Sequence, residues 1–224
     1  MKSLLILIQR LKYKINLDRK NYILKHIRRN KPKTILEIGV FNGAFAKRML
    51  LNATKSLNEN ISYTGVDLFE DLSGEVHKKE ISLWASKKDV VYKDLSKIKN
   101  TKISLLKGYS RDVLPQLIGK MKFDLILIDG GHSYETVESD FNFAKKLVNT
   151  NGAIFFDDYV SKNGVTNEGY GINKVVDNIN RTDYSVKISK NRDVFPKFYG
   201  LLIIRMVKVQ LRNYFAIIYP TNPS

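Results

Sequence analysis

The sequence predicts an α/β fold: a doubly wound, mostly parallel seven-stranded sheet closed by a terminal antiparallel hairpin and preceded by an N-terminal helical extension. Three observations carry this expectation. Short apolar or β-branched runs alternate with helical stretches through most of the chain. Several of those runs are apolar throughout, as strands covered by helices on both faces must be. After residue 182 the alternation stops, and two strand-like runs follow with no helix between them. With 224 residues, the chain is long enough for one such domain and short for two.

The expected parallel strands are Thr34–Ile38, Ile61–Val66, Lys102–Leu106, Phe123–Ile128 and Ala153–Phe156. Helical stretches fall near 43–56, 74–88, 111–119, 134–149 and 171–180. Asn151-Gly152 supplies a stop after the fourth of these, since glycine takes the left-handed conformation that ends a helix. Tyr184–Ser189 and Tyr199–Val207 read as the antiparallel pair, joined by a polar connection containing Pro196. The expected division is a basic amphipathic helical extension over 1–33, the main domain over 34–208 and a tail over 209–224.

The net charge of +16 belongs to the two ends. Residues 1–33 hold eleven Lys/Arg against one acid, residues 187–224 hold seven against one, and the body between them is neutral. Such ends suit a solvated cationic face, nucleic acid, an anionic membrane surface or an anionic substrate. There is no cysteine, which excludes disulfides, thiolate metal sites and a cysteine nucleophile and fits a reducing, cytoplasmic compartment. The Leu4–Ile8 run is too short for a membrane span, which takes roughly 20 apolar residues, and lacks the cleavage site of a signal peptide. Leu4, Leu5, Ile8, Leu11 and Ile15 recur at helical spacing, the stripe of a helix that packs on its own domain, on a second copy in a homodimer, or on the inner face of a membrane.

Three segments carry chemistry. Strand Thr34–Ile38 runs into Gly39-Val-Phe-Asn-Gly43 and then a helix; in open α/β sheets ligands bind beyond such strand ends. Phe41 stands where a dinucleotide fingerprint has its second glycine, and no Gly-Lys-Ser/Thr is present, so neither that motif nor a P-loop applies. Asp67 ends the second strand, and Lys107-Gly108-Tyr109-Ser110 follows the third, with Ser110 also placed to cap a helix. Asp129 ends the fourth strand in Asp129-Gly130-Gly131-His132, and Asp157-Asp158 ends the fifth. Neighbouring fourth and fifth strands would bring three carboxylates together, a repulsion that a divalent cation such as Mg²⁺ relieves.

Glu37-Ile-Gly39-Val-Phe-Asn-Gly43 resembles the first motif of class I S-adenosylmethionine-dependent methyltransferases, which share a Rossmann-like seven-stranded sheet. That resemblance implies cofactor contacts from Glu37, Gly39, Phe41, Asn42 and Gly43, from Asp67 and Leu68, from Gly108, Tyr109 and Ser110, and from Asp129, Gly130 and His132. The acids are similar to those of metal-dependent O-methyltransferases of the catechol, caffeoyl and macrolide-sugar types, which implies metal ligation by Asp129, Asp157 and Asp158. Asp129-Gly-Gly-His-Ser-Tyr134 resembles a mostly bacterial group with an Asp-Gly-x-His-x-Tyr motif. His132 stands three positions after Asp129, where the catechol type has a lysine base, and an imidazole is chemically able to take a hydroxyl proton. The expected activity is methyl transfer to a hydroxyl of a sugar, glycoside or other small molecule, with Asp129 and His132 catalytic. RNA methylation through the basic ends and a membrane-peripheral role on lipid-linked glycans are the alternatives. Against RNA, no Asn/Asp-Pro-Pro-Tyr follows the fourth strand. The loop over 158–171 with Trp84, Tyr109 and Tyr170 is expected to shape the acceptor pocket.

Overall fold

A computed structural model describes residues 20–57, 59–80, 85–160, 171–189, 194–199, 202–208 and 213–221. The expected stripe at Leu4–Ile15, Trp84, Tyr170 and most of the loop over 158–171 lie outside these residues. The elements in chain order are α1 (Asn21–Asn30), β1 (Thr34–Ile38), α2 (Ala44–Ser56), β2 (Ile61–Asp67), α3 (Gly74–Lys79), α4 (Lys88–Leu95) and β3 (Thr101–Lys107). They continue with α5 (Ser110–Val113), β4 (Phe123–Ile128), α6 (Tyr134–Leu147), β5 (Val148–Val160), α7 (Gly171–Asp177), β6 (Tyr184–Ile188), β7 (Val194–Tyr199), β8 (Leu202–Lys208) and β9 (Asn213–Pro220).

The expected fold class is present. Seven strands form one sheet in the order β3-β2-β1-β4-β5-β9-β6. The five strands β1 to β5 run parallel, and β9 pairs antiparallel with both β5 and β6. Alternation along β1 sends Ile35 into one core with Ile23, Leu24, Ile27 and Met49, and Leu36 and Ile38 into the other with Val137, Phe141 and Val176. Both faces of the sheet are thus covered.

Two features differ from the sequence expectation. Tyr199–Val207 does not pair with β6: its residues contribute to a separate two-stranded sheet, β7 with β8. The partner of β6 is Asn213–Pro220, from the segment expected to be a tail. An inner strand needs apolar side chains on both faces, and Ala216, Ile217 and Ile218 are fully buried there, whereas β8 carries Arg205 and Lys208. Second, helix α1 lies within the segment expected as an extension, yet its Ile23, Leu24 and Ile27 are fully buried in the first core. Among the described residues no helix is long and apolar enough to cross a membrane.

Register decides where function sits. Ile38 aligns with Val66 and with Ile128, and Ile128 with Phe156. Gly39, Asp67, Asp129 and Asp157 therefore all fall just past the same carboxyl edge. Chain order reverses between β1 and β4, the switch point at which open α/β sheets bind ligands.

Candidate active site

At that edge Glu37, Gly39, Phe41, Asn42, Asp67, Leu68, Gly108, Tyr109, Ser110, Asp129, Gly130, His132, Asp157 and Asp158 border one cleft of about 1050 Å³. Of the residues expected to hold cofactor, Gly43 is the exception. Its φ is +72°, and a Cβ there would come within 2.7 Å of Val91 Cγ1, so it serves the packing of α2 on α4. The loop between Gly39 and Gly43 is held by Asp67. One carboxylate oxygen accepts from the backbone N–H groups of Val40 and Phe41 at 2.7 and 2.8 Å, and the other accepts from Phe69 N at 2.7 Å. Asp67 was expected to contact the cofactor; its carboxylate also fixes two backbone turns beside the cleft. Asn42 likewise has a structural bond, its side-chain oxygen accepting from Ala44 N at the start of α2.

Glu37 is buried, and the Tyr63 hydroxyl donates to its carboxylate. Burial pushes the Glu37 carboxyl up to about 8; the Tyr63 bond and the Lys20 charge pull the other way, while Asp129 and Asp67 add to the rise. Glu37 is thus mostly protonated at neutral pH. Its folded pKa of about 8 lies above the ordinary 4.5, so the folded state holds the extra proton between those values. The stability this confers is complete below 4.5 and is lost as pH climbs through about 8. Glu37→Gln removes the titration. Relative to that variant, wild type should lose stability as pH is raised from about 5 to about 8.5, by roughly 1.4 kcal/mol per pH unit at most, read by thermal melts.

The three acids of β4 and β5 do not form the single cluster expected. Lys20 Nζ, just ahead of α1, stands 3.3 Å from Asp129 Oδ2 and 3.6 Å from Asp157 Oδ2. Asp158 borders the same cleft from a left-handed backbone conformation, φ +56°, with its Oδ2 at 3.2 Å from His132 Nε2. No group of three His, Asp or Glu side chains among the described residues is arranged to hold a metal ion. The donor set fits an ammonium and an imidazole better than a divalent cation, because a lysine already stands between two of the three expected ligands.

His132 is fixed at both ring nitrogens. Nδ1 lies 2.8 Å from the Glu80 carbonyl oxygen, an acceptor, so Nδ1 carries the proton and Nε2 is the titrating atom. Burial lowers the imidazole pKa, but the bond to Asp158, the Glu80 carbonyl and the charges of Asp158 and Asp129 outweigh it, and the net shift is upward from 6.5. Glu80 organises the same loop, accepting from Ser133 N at 2.9 Å and from the hydroxyls of Ser133 and Thr136 at 2.8 and 2.9 Å. Gly131 packs on it: a Cβ there would lie 2.5 Å from Glu80 Oε2. A side chain at this position would have to displace the Glu80 carboxylate and the Thr136 methyl. Lys20, Tyr63, Glu80 and Asp140 are among the site residues that sequence reasoning missed.

Beyond β3 the chain turns at Gly108, and Tyr109 is partly exposed with the Arg111 guanidinium 4.5 Å from its ring centroid. Ser110 is the first residue of α5 rather than its cap, which is Tyr109. Behind it Asp140, fully buried, borders the cleft, and neither carboxyl oxygen has a hydrogen-bond partner among the described residues. Burial pushes Asp140 up to about 7; Ser110 favours the charged form without meeting hydrogen-bond geometry, and the Glu80 charge opposes it. An orphaned carboxyl at the wall of a large cleft fits a ligand that brings its own donor.

The family described as a methyltransferase domain matches residues 36–159, more than half of the chain, from within β1 to just past the acid pair. The chain belongs to that methyltransferase family. Its fold is shared with solved methyltransferases at low identity. An O-methyltransferase, TomG from Streptomyces achromogenes, involved in tomaymycin synthesis and solved with S-adenosylmethionine, is 13% identical with a TM-score of 0.60, over 91% of this chain and 79% of that one. The O-methyltransferase from Bacillus cereus, solved with S-adenosylhomocysteine, is 15% identical with a TM-score of 0.58, over 97% and 90%. An rRNA methylase from Streptococcus thermophilus is 8% identical with a TM-score of 0.58, over 92% and 98%. An uncharacterised protein of Acanthamoeba polyphaga mimivirus is 39% identical over 74 residues, 33% of this methyltransferase and 31% of the viral protein. The match thus spans about a third of that relative's length.

Proposed function

We propose that this methyltransferase moves the methyl group of S-adenosylmethionine to a hydroxyl of a sugar, glycoside or other small molecule. The observation that carries this is the convergence on one cleft of the Gly39 loop, tied down by Asp67, with the acids ending β4 and β5 and His132. S-adenosylmethionine, when bound, supplies a methyl already activated by its sulfonium, which leaves positioning and proton removal to the protein. The Gly39 loop and Asp67 border the cleft that would take it, together with Gly108, Tyr109, Ser110 and Asp140. The O-methyltransferases named above favour a hydroxyl acceptor.

His132 is the proton acceptor in this scheme. The Glu80 carbonyl holds the Nδ1–H tautomer, leaving the Nε2 lone pair as the basic site once the imidazolium with Asp158 has lost its proton. Because the folded imidazole titrates above 6.5, activity should be low at acid pH and climb through an apparent pKa higher than 6.5. His132→Gln should flatten that limb of the kcat/KM profile and lower the plateau by about 10²–10⁴-fold. An unchanged profile in the variant would remove the base assignment. The overall reading is tested by incubating the full chain with labelled S-adenosylmethionine and panels of glycosides, phenols and RNA; label appearing only in RNA would replace the hydroxyl-acceptor reading.

A further inference from the structure

Lys20 is a charged group at the strand edge that this scheme leaves unused. Its ammonium is within 3.6 Å of carboxylates from two different strands, Asp129 and Asp157, and 4.5 Å from the centroid of the Phe45 ring. The Asp157 side chain is 1% exposed and that of Lys20 27%. A carboxylate that deep is costly without a partner charge, and Asp157 also accepts from the backbone N–H of Asp158 at 2.8 Å. The lysine itself is held from behind: it directly precedes α1, whose Ile23, Leu24 and Ile27 are fully buried.

We propose that Lys20 is the resident cation of the active site, standing between Asp129 and Asp157 where a divalent ion would have to bind, so that the site works without a metal. Mg²⁺ demands oxygen ligands at about 2.0–2.1 Å in near-octahedral array, and an ammonium 3.3 Å from one acid and 3.6 Å from the next both occupies that space and repels the ion. The third acid is committed to His132. An ammonium is a compact point charge with no coordination sphere to complete, so it does not require the acceptor to present a chelating pair of oxygens. The inference rests on the proposed function only where it concerns the acceptor; the charge arrangement stands apart from it.

The experiment is a titration of the full chain with Mn²⁺ alone, followed by the loss of the free-ion electron paramagnetic resonance signal, for wild type, Lys20→Arg, Lys20→Met and Lys20→Met with Asp157→Asn. Wild type and Lys20→Arg are expected to leave the signal of free Mn²⁺ intact. Lys20→Met should take up one equivalent with an affinity at least about tenfold higher, because one positive charge has been removed from beside two carboxylates. Asp157→Asn should abolish that gain. Stoichiometric Mn²⁺ uptake by wild type, lost on Asp129→Asn, would overturn the proposal whether or not Lys20→Met folds, as would methyl transfer that dies in EDTA and returns with Mg²⁺. Calorimetry with S-adenosylhomocysteine on the same wild-type sample separates the two claims: absent binding defeats the methyltransferase activity, while the Mn²⁺ result alone decides Lys20.

Discussion

Gly39→Ala is expected to lower the thermal midpoint by about 10 °C, the effect of roughly 3–5 kcal/mol in a domain of this size. The residue has φ +90°, and a Cβ there would lie 2.2 Å from the Asp129 carbonyl oxygen, 2.5 Å from its carbon and 2.6 Å from Gly130 Cα. All three are backbone atoms. Neither side can give way, because Gly39 N donates to Val66 O at 2.9 Å and Asp129 N donates to Ile38 O at 2.8 Å, the bonds that continue the sheet on either side of the switch point. Strain at positive φ and overpacking each cost about 1–3 kcal/mol. Gly119→Ala is the control, with φ +77° but nothing within 4 Å of the added carbon, and should lose no more than the strain alone. Equal midpoints for the two variants would contradict this account of Gly39.

Asp67→Ala should weaken binding of S-adenosylhomocysteine about 100-fold or more, measured by calorimetry. Three backbone N–H groups converge on this one carboxylate, and each such bond to a charged acceptor is worth about 1.5–3 kcal/mol. Phe41, one of the donors, sits at φ +56°, a conformation a phenylalanine keeps only while its surroundings enforce it. Without the carboxylate the loop loses the bonds that hold it open along the cleft, and binding must then re-form it. A 100-fold loss corresponds to about 2.7 kcal/mol, less than the bonds at stake. An Asp67→Ala protein that binds as tightly as wild type would show that the loop is ordered by something else.

The fold was legible because its signals are local. The apolar or β-branched runs between helical stretches put β1 to β4 within a residue or so of their expected bounds, and acids or glycines at the ends of such runs could be placed on one edge by topology alone. The antiparallel end was half legible. The run Phe215-Ala-Ile-Ile218 is free of charge and was the better candidate for an inner strand, but Tyr199–Val207 lies nearer to β6 in sequence, and sheet neighbours need not be chain neighbours. The site failed where partners are distant. Lys20 and Asp129 are 109 residues apart and Glu80 and Ser133 are 53 apart, separations that leave no spacing to read. Three acids on two strands were visible; that a lysine from before α1 would enter between two of them was not. Tyr63 stands two residues before Gly65, the register partner of Glu37, so the two side chains share a face of the sheet, but nothing in the sequence marked the hydroxyl as the partner of Glu37.

The central claim, that the cleft at the carboxyl edge of β1, β2 and β4 is built for S-adenosylmethionine, is tested most directly by titrating S-adenosylhomocysteine into the full chain in a calorimeter at neutral pH. Saturable binding to one site, with no metal added and lost on Asp67→Ala, is the result predicted. A flat titration at millimolar ligand, from protein whose melt shows it folded, would contradict it.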